Sequence, residues 1–324
     1  MPVLNEAAFI KKSLGALLAQ DYPADRLEIL IVDGGSTDDT PSIVRHLFAD
    51  RANARLLCNP KRIQSTALNI GIEAAQGDII VRIDGHTIID PDYVRRCAEH
   101  LAQDDIDNVG GLMRPEGTTY VGRAVALAFN SVFGNGGSKF HYSTQSQYVD
   151  TVYMGAYRKR VFDEIGGYDE HMPVNEDYEL NYRLRQNGGR ILLSPDLGST
   201  YFARASLGAL GRQFFRYGYW KVQMLRRHPS SMQWRQTVPP LFIFVVFAAL
   251  LTACFWSPAL WLGGGILGAY LLANLGASLL NAPGHWALLP VLPLVFAILH
   301  FSWGSGFWWA ILAAPFRPLP DNSQ

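Results

Sequence analysis

"LEILIVDGGSTDDT", residues Leu27–Thr40, is an apolar run without polar alternation that stops at a carboxylate and a glycine-rich turn. An unbroken Leu/Ile/Val stretch of this kind marks a parallel strand covered on both faces. Working upstream, "EAAFIKKSLGALLAQ" (Glu6–Gln20) has apolar residues at helical spacing. Downstream, "DDTPSIVRHLF" opens with Asp and Thr capping candidates ahead of Pro41. The pattern repeats: "ARLLCN" reads as strand, "STALNIGIEAAQ" as helix with Gly77 at its stop, and "DIIVRID" as strand ending at Asp84. This alternation predicts an α/β architecture with a doubly wound, mostly parallel, Rossmann-like sheet, in which ligands sit beyond the carboxyl ends of the strands. Asp33 and Asp84 both occupy such ends.

Several common chemistries lack their sequence marks. The turn after Asp33 is not G-x-G-x-x-G, and no G-x-x-x-x-G-K-[ST] occurs, so dinucleotide dehydrogenase and P-loop readings lose their main support. "GNGGSK" (Gly134–Lys139) lacks the strand-loop-helix context of a phosphate loop and reads as a mobile surface loop. Cys58, Cys97 and Cys254 are widely spaced without a C-x-x-C pair, which indicates neither a disulfide framework nor a zinc site and fits a reduced, cytoplasmic catalytic part. No basic stretch followed by an apolar segment opens the chain, so no cleavable signal peptide is expected.

The 324 residues carry equal numbers of basic and acidic side chains, but unevenly: Thr237–Phe316 contains no Lys, Arg, Asp or Glu. Val238–Trp256 and Ala259–Leu280 each match the length that crosses a hydrocarbon core of about 30 Å. Trp261 is expected near an interface, and the glycines of the second stretch permit close helix packing. A third stretch, Leu288–Ala314, is interrupted by Pro290, Pro293 and His300 and counts as one span, with two half-spans or a re-entrant hairpin as alternatives. Arg212, Arg216, Lys221, Arg226, Arg227 and Arg235 precede the first span, which places that flank in the cytoplasm. Phe214, Phe215, Tyr217, Tyr219, Trp220 and Trp234 are interleaved with them, as suits helices in the headgroup layer. Next to a membrane span, this basic-aromatic run points to lipid and not to nucleic acid. The expected division is a catalytic segment at 1–205, interfacial helices at 206–236, a membrane region at 237–316 and a tail at 317–324.

"PVLNE" (Pro2–Glu6), "IVDGGSTDDT" (Ile31–Thr40), "ALNIGIEAAQGDIIVRIDGH" (Ala67–His86), "IGGYDE" (Ile165–Glu170) and "NEDYELNYRLRQNG" (Asn175–Gly188) together resemble family 2 glycosyltransferases of the GT-A fold. The resemblance spans roughly Met1 to Ala205 in order. The Asp-Gly-His variant and "QFFRYGYWK" ahead of membrane helices are most similar to the succinoglycan-biosynthesis glucosyltransferase subfamily of exopolysaccharide assembly.

The resemblance implies a role for each matching position. Asp84 and His86 align with the family's Asp-x-Asp, so Asp84 would contact ribose or metal and His86 would stand where the metal-binding carboxylate usually stands. A hard cation such as Mg2+ prefers oxygen ligands, whereas Mn2+ accepts imidazole more readily, and Mn2+ is therefore favoured. The alternative for His86 is a turn cap through a backbone hydrogen bond. Asp33 matches the residue that recognises the nucleobase, usually uracil; Pro2 and Glu6 match the first loop of the nucleotide pocket. That proline normally follows an apolar first strand, and here the chain opens at the motif, so the expectation is a start lying upstream or a missing first strand. Arg204 in "YFARAS" could hydrogen-bond phosphate oxygens.

"VNEDYELNYRLR" opens a helix in which Asn175 is a capping candidate and acidic residues favour the first turn. Asp177 matches the family's catalytic base, which implies inversion by single displacement. Glu176, Gln213, Arg216 and Trp220 are assigned to the acceptor or the interface. Gln213 and Arg216 keep the spacing of the Gln-x-x-Arg-Trp motif of processive synthases, but Tyr217 replaces its tryptophan, so one sugar per encounter is expected.

The implied activity is inverting transfer from a nucleotide sugar, a UDP-hexose, to a polyprenyl-diphosphate-linked saccharide at the bacterial inner membrane, with the catalytic part in the cytoplasm. A degenerate nucleotide-sugar-binding scaffold is the alternative, and a nucleotidyltransferase ranks last.

Overall fold

The computed structural model describes residues 1–313. Two compact units emerge, Met1–Arg114 with Lys139–Tyr201, and Pro115–Ser138 with Phe202–Gln324. The expected tail at 317–324 and the last residues of the expected membrane region lie outside the described residues.

The first unit begins with β1 (Pro2–Val3), α1 (Ile10–Leu18), β2 (Ile29–Asp33), α2 (Thr40–Phe48), β3 (Ala54–Cys58), α3 (Gln64–Ala74) and β4 (Ile79–Val81). Then come β5 (Thr87–Ile89), α4 (Tyr93–Leu101) and β6 (Asn108–Glu116). The helix-strand alternation is as the apolar spacing predicts, and β1-β2-β3 pair in parallel, where Pro2 faces Val32 and Ile31 faces Leu56. Ile31 and Val32 are buried, as expected of a strand covered on both faces.

The unit continues with β7 (Gln147–Tyr148), β8 (Tyr153–Arg158), α7 (Arg160–Ile165), α8 (Glu176–Gln186) and β9 (Ile191–Phe202), after two helices of the second unit, α5 (Tyr120–Phe129) and α6 (Val132–Asn135). Strand β4 does not extend the parallel sheet. It opens a second sheet, ordered β4-β8-β6-β9-β5, in which β4 pairs antiparallel with β8 and β5 with β9, and β7 adds to β9. The "RIDGH" segment is thus the connection from β4 to β5. Ile10, Leu14, Ile31, Val44, Tyr93, Cys97 and Val109 form the core on which this connection rests.

In the second unit, α9 (Leu207–Arg227) is followed by α10 (Trp234–Ala253), α11 (Pro258–Asn281) and α12 (Leu292–Ala313). The last three are long and apolar enough to cross a membrane. Much of their surface is exposed apolar side chain, including Leu241, Phe247, Leu251, Leu272 and Leu280, which a helix in water would not sustain. The third stretch forms one helix, because Pro293 falls in its first turn, where a missing N–H breaks no bond. Helix α9 packs along α12 at backbone contact: a Cβ on Gly218 would lie 1.9 Å from the Trp303 carbonyl oxygen, and one on Gly306 2.0 Å from that of Phe215. The "GNGGSK" stretch is less loop-like than expected: Gly134 is buried inside α6, which ends in a left-handed Gly136.

Candidate active site

The chain leaves β4 through Arg82, whose side chain is only 6% exposed. Its Nε donates to Asp84 Oδ1 at 3.0 Å and its Nη2 to Glu176 Oε1 at 3.0 Å, and the guanidinium lies 5.8 Å from the centre of the Tyr168 ring. Asp84, expected at a strand end, lies three residues past β4 in the connection to β5; it is buried, and its backbone N–H meets Met154 Sδ at 3.4 Å. Gly85 follows because nothing larger fits: a Cβ there would sit 2.9 Å from Val3 Cγ1 and 3.1 Å from Glu6 Cγ. This close approach brings Glu6 to His86, whose Nδ1 lies 2.9 Å from Glu6 Oε1. The Nδ1 edge of His86 is therefore oriented by a carboxylate.

The acidic pair opens α8. Glu176 is buried and Asp177 half-buried, with its Oδ1 accepting from the Tyr178 backbone N–H at 2.7 Å. Asn175 precedes them in the left-handed region, at φ 64°, and makes no side-chain capping hydrogen bond. The expected cap is thus corrected: Asn175 stands at the N-cap position with a left-handed backbone, and not in the extended conformation from which a capping side chain usually reaches the first-turn amides. Burial raises the pKa of Glu176 even though Arg82 pulls it down, and burial likewise raises that of Asp177 against the pull of Arg82. Asp84 behaves oppositely: burial works to raise it, but Arg82 and then His86 outweigh burial and hold it below the ordinary carboxylate range. Carboxylates in one site are thereby driven apart in acidity, a pattern found where acid-base roles differ.

A second set of contacts shapes the ends of β1 and β2. Asp33 turns its carboxylate onto its own loop, accepting from Ser36 Oγ at 2.6 Å and from the Gly35 N–H at 3.1 Å. Asn5 Oδ1 accepts from the Thr37 N–H at 2.8 Å, and Asp38 Oδ2 from the Ala7 N–H at 3.0 Å. These bonds lock the loop after Val3, which carries Glu6, to the loop after Asp33. Each Asp33 oxygen has more than one lone pair, so the carboxylate can still take a further donor.

Among the described residues, four that are not glycine have positive φ: Asn5 at 56°, Arg62 at 59°, Met154 at 48° and Asn175 at 64°. Asn5 holds the Thr37 loop, Arg62 packs its Cα near Gly34, Met154 meets the Asp84 amide and Asn175 precedes Glu176. Strained backbone of about 1–3 kcal/mol per residue persists where the surroundings enforce it, and it clusters at functional sites.

Pro2, Glu6, Asp33, Asp84, His86, Glu176 and Asp177 all lie in the first unit. Arg204, Gln213, Arg216 and Trp220 belong to the second, where Arg204 Nε donates to Gln213 Oε1 at 3.1 Å and Gln213 Nε2 to the Tyr217 hydroxyl at 2.7 Å. Three further residues of the first unit bond to these segments or brace them. Arg82 was detectable as a charge inside an apolar strand. Asn69 bonds the Tyr168 backbone twice, accepting from its N–H at 2.7 Å and donating to its carbonyl at 2.9 Å. Arg183 clamps the Gly-Gly turn, donating to the carbonyls of Ile165 and, at 2.7 Å, Gly167.

No group of three or more His, Cys, Asp or Glu suited to a metal occurs among the described residues. A protein-only cage is therefore not built, but the residues fit a cation that takes one or two protein ligands and completes its shell with phosphate oxygens and water. A ligating histidine usually donates its other ring N–H to a carboxylate, which is the relation of His86 to Glu6.

Known proteins carry the same framework. The model of the family described as "Glycosyl transferase family 2" matches residues 1–166. The chain is 33% identical over 315 residues to the succinoglycan biosynthesis protein ExoA of Rhizobium meliloti (strain 1021), covering 96% of this chain and 94% of that protein. It is 27% identical over 260 residues to the dolichyl N-acetyl-alpha-D-glucosaminyl phosphate 3-beta-D-2,3-diacetamido-2,3-dideoxy-beta-D-glucuronosyltransferase of Methanococcus voltae, covering 78% of this chain and 80% of that one. Among solved structures, the mannosyltransferase PcManGT from Pyrobaculum calidifontis, in complex with GDP-Man and Mn2+, matches with a TM-score of 0.62 at 19% identity, over 95% of this chain and 85% of that one. This last likeness shows the GT-A fold. With its family model, its relatives and its fold in agreement, the chain belongs to glycosyl transferase family 2 and is a glycosyltransferase.

Proposed function

We propose that the chain moves a hexose from a UDP-sugar to a polyprenyl-diphosphate-linked saccharide at the cytoplasmic face of a bacterial inner membrane, in the assembly of an exopolysaccharide or surface glycan. The observation that carries this reading is the buried cluster of Arg82, Asp84 and Glu176 with the half-buried Asp177 next in α8, flanked by the His86–Glu6 pair. The names of the relatives support it: one is a succinoglycan biosynthesis protein, and another transfers a sugar to a dolichyl-linked phosphosugar. Three helices long and apolar enough to cross a membrane suit such an acceptor. On this reading 1–205 is catalytic, 206–236 lies at the interface and 237–316 anchors.

Asp177 takes the proton of the acceptor hydroxyl as its oxygen attacks the anomeric carbon. A bond forms between that oxygen and the carbon, the bond from the carbon to the diphosphate oxygen breaks, and the anomeric centre inverts. His86 and Asp84 would hold a divalent cation, which when bound would supply positive charge against the diphosphate. Glu6 keeps the His86 ring in place, Asp33 receives the nucleobase N–H, and Pro2 lines the first loop. Arg204 bonds phosphate oxygens; Gln213, Arg216 and Trp220 receive the acceptor, as does Glu176 beside the base. Mn2+ is favoured over Mg2+ because imidazole is a ligand.

Calorimetric titration of the detergent-purified protein with UDP and GDP, each with Mn2+, Mg2+ or chelator, tests the donor side. Metal-dependent UDP binding is expected. Binding of GDP alone would replace the donor, and binding of neither by folded protein would favour a scaffold that has lost its chemistry.

A further inference from the structure

The reading above leaves Arg82 without a task, yet its charged side chain is buried. Its fork spans two elements, taking Asp84 from the β4–β5 connection through Nε at 3.0 Å and Glu176 from α8 through Nη2 at 3.0 Å. The third nitrogen, Nη1, is buried with no hydrogen-bond partner among the described residues. Removing a guanidinium from water costs several kcal/mol, and well-packed apolar residues often replace buried ion pairs without loss. An arginine kept at the end of an apolar strand therefore points to a geometric demand, one that a planar fork meets and a point charge does not.

The start of α8 shows what that demand is. The N-cap residue Asn175 is in the left-handed region and makes no side-chain capping bond, and within the first turn the Tyr178 N–H donates to Asp177 Oδ1 at 2.7 Å. Glu176, the first residue of the helix, is tied to Arg82. Because successive residues of a helix are rotated by about 100°, fixing the Glu176 side chain fixes the direction in which Asp177 projects.

We propose that Arg82 is a positioning residue of the transfer reaction, a buried strut that holds the first turn of α8 at a set rotation relative to Asp84 so that the Asp177 carboxylate meets the acceptor hydroxyl. The inference rests on the assignment of Asp177 as the base. A misplacement of the order of 1 Å in such a group costs about 10²-fold in rate, while the nucleotide, held at the Asp33 end, is bound as before.

The test measures transfer from UDP-glucose to a polyprenyl-diphosphate-linked monosaccharide, together with UDP affinity and thermal unfolding, for Arg82→Lys, Glu176→Ala, their double variant and Asp177→Asn. Arg82→Lys and Glu176→Ala should each lower kcat by about 10²-fold with UDP affinity unchanged. The double variant should be no slower than the slower single one, because both break the same tie. Wild-type kcat in both single variants while Asp177→Asn is inactive would overturn the strut and leave the base intact. Losses that multiply, or UDP affinity that falls in step with kcat, would overturn it as well. Should Arg82→Lys not fold, Glu176→Ala decides through a second readout: a lowered kcat with acceptor KM unchanged supports the strut, whereas a raised acceptor KM with kcat unchanged marks Glu176 as an acceptor contact only and overturns it. An Asp177→Asn enzyme of full activity, or a wild-type chain that transfers nothing, would remove the base assignment and the strut with it.

Discussion

Nδ1 of His86 lies 2.9 Å from Oε1 of Glu6, joining the strand-end motif to the first loop across eighty residues of chain. If Nδ1–H is the donor, the ring lone pair sits on Nε2, the form that binds a cation. His86→Ala should therefore weaken Mn2+-dependent UDP binding, and Glu6→Gln should weaken it by about 10–100-fold, the usual cost of losing a ligand-orienting partner. Manganese titrations followed by calorimetry check both; curves superimposable on the wild type would return His86 to a turn role.

The acidity of the Glu176–Asp177 pair sets a pH dependence. A base works ionised, and burial raises both carboxyls, so protonation disables the pair at a higher pH than for exposed carboxyls. The acid limb of kcat should accordingly fall above about pH 4.3, the ordinary upper carboxylate value, and should be read as a property of the coupled pair. Rate measurements from pH 4 to 8, with thermal stability monitored, test this; an acid limb within the ordinary carboxylate range would contradict it. The same shift has a sign for stability: the folded pair holds its proton more tightly than the unfolded chain, so its contribution is full at low pH and is lost as pH rises through the raised pKa.

Gly85 is a packing requirement between the two motif residues Asp84 and His86. A methyl group there meets Val3 Cγ1 at 2.9 Å, a branched side chain in a two-residue strand with little room to give. Gly85→Ala should cost about 1–3 kcal/mol, the usual range for overpacking, and should weaken UDP binding by displacing Glu6. Thermal unfolding and UDP titration check it; an unchanged Tm with unchanged binding would show that β1 moves freely.

Much of this was legible in the sequence, for physical reasons. The apolar run to Asp33 specifies a buried strand that ends in a carboxylate, and β2 ends there, whereas the run read as far as Asp84 is strand only over Ile79–Val81, so that Asp84 lies in the connection to β5. The pairing direction of β4 was not legible, since a three-residue apolar strand has the same composition in either sense and only its partner β8, some seventy residues later, decides. Nor was the Asn175 conformation: the residue type fits a cap, and the structure has it left-handed without a side-chain capping bond. Arg82 was visible as a charge in an apolar strand, but its two partners come from distant segments, and a single sequence carries no sign of their meeting.

In the second unit, the Gly218 and Gly306 contacts predict that α9 and α12 cannot be separated without loss. Gly218→Ala would drive a Cβ to 1.9 Å from a backbone oxygen, which no side-chain rotation relieves. Lower thermal stability in detergent is expected, by more than the roughly 1–3 kcal/mol of ordinary overpacking. A wild-type melting curve would show that the helices part to admit the methyl group.

The assignment of Asp177 as the base is tested most directly by the transfer rate of Asp177→Asn under saturating donor, with UDP affinity measured on the same preparation. The account predicts a fall of about two to four powers of ten in kcat with UDP affinity retained. Turnover at the wild-type rate would contradict it.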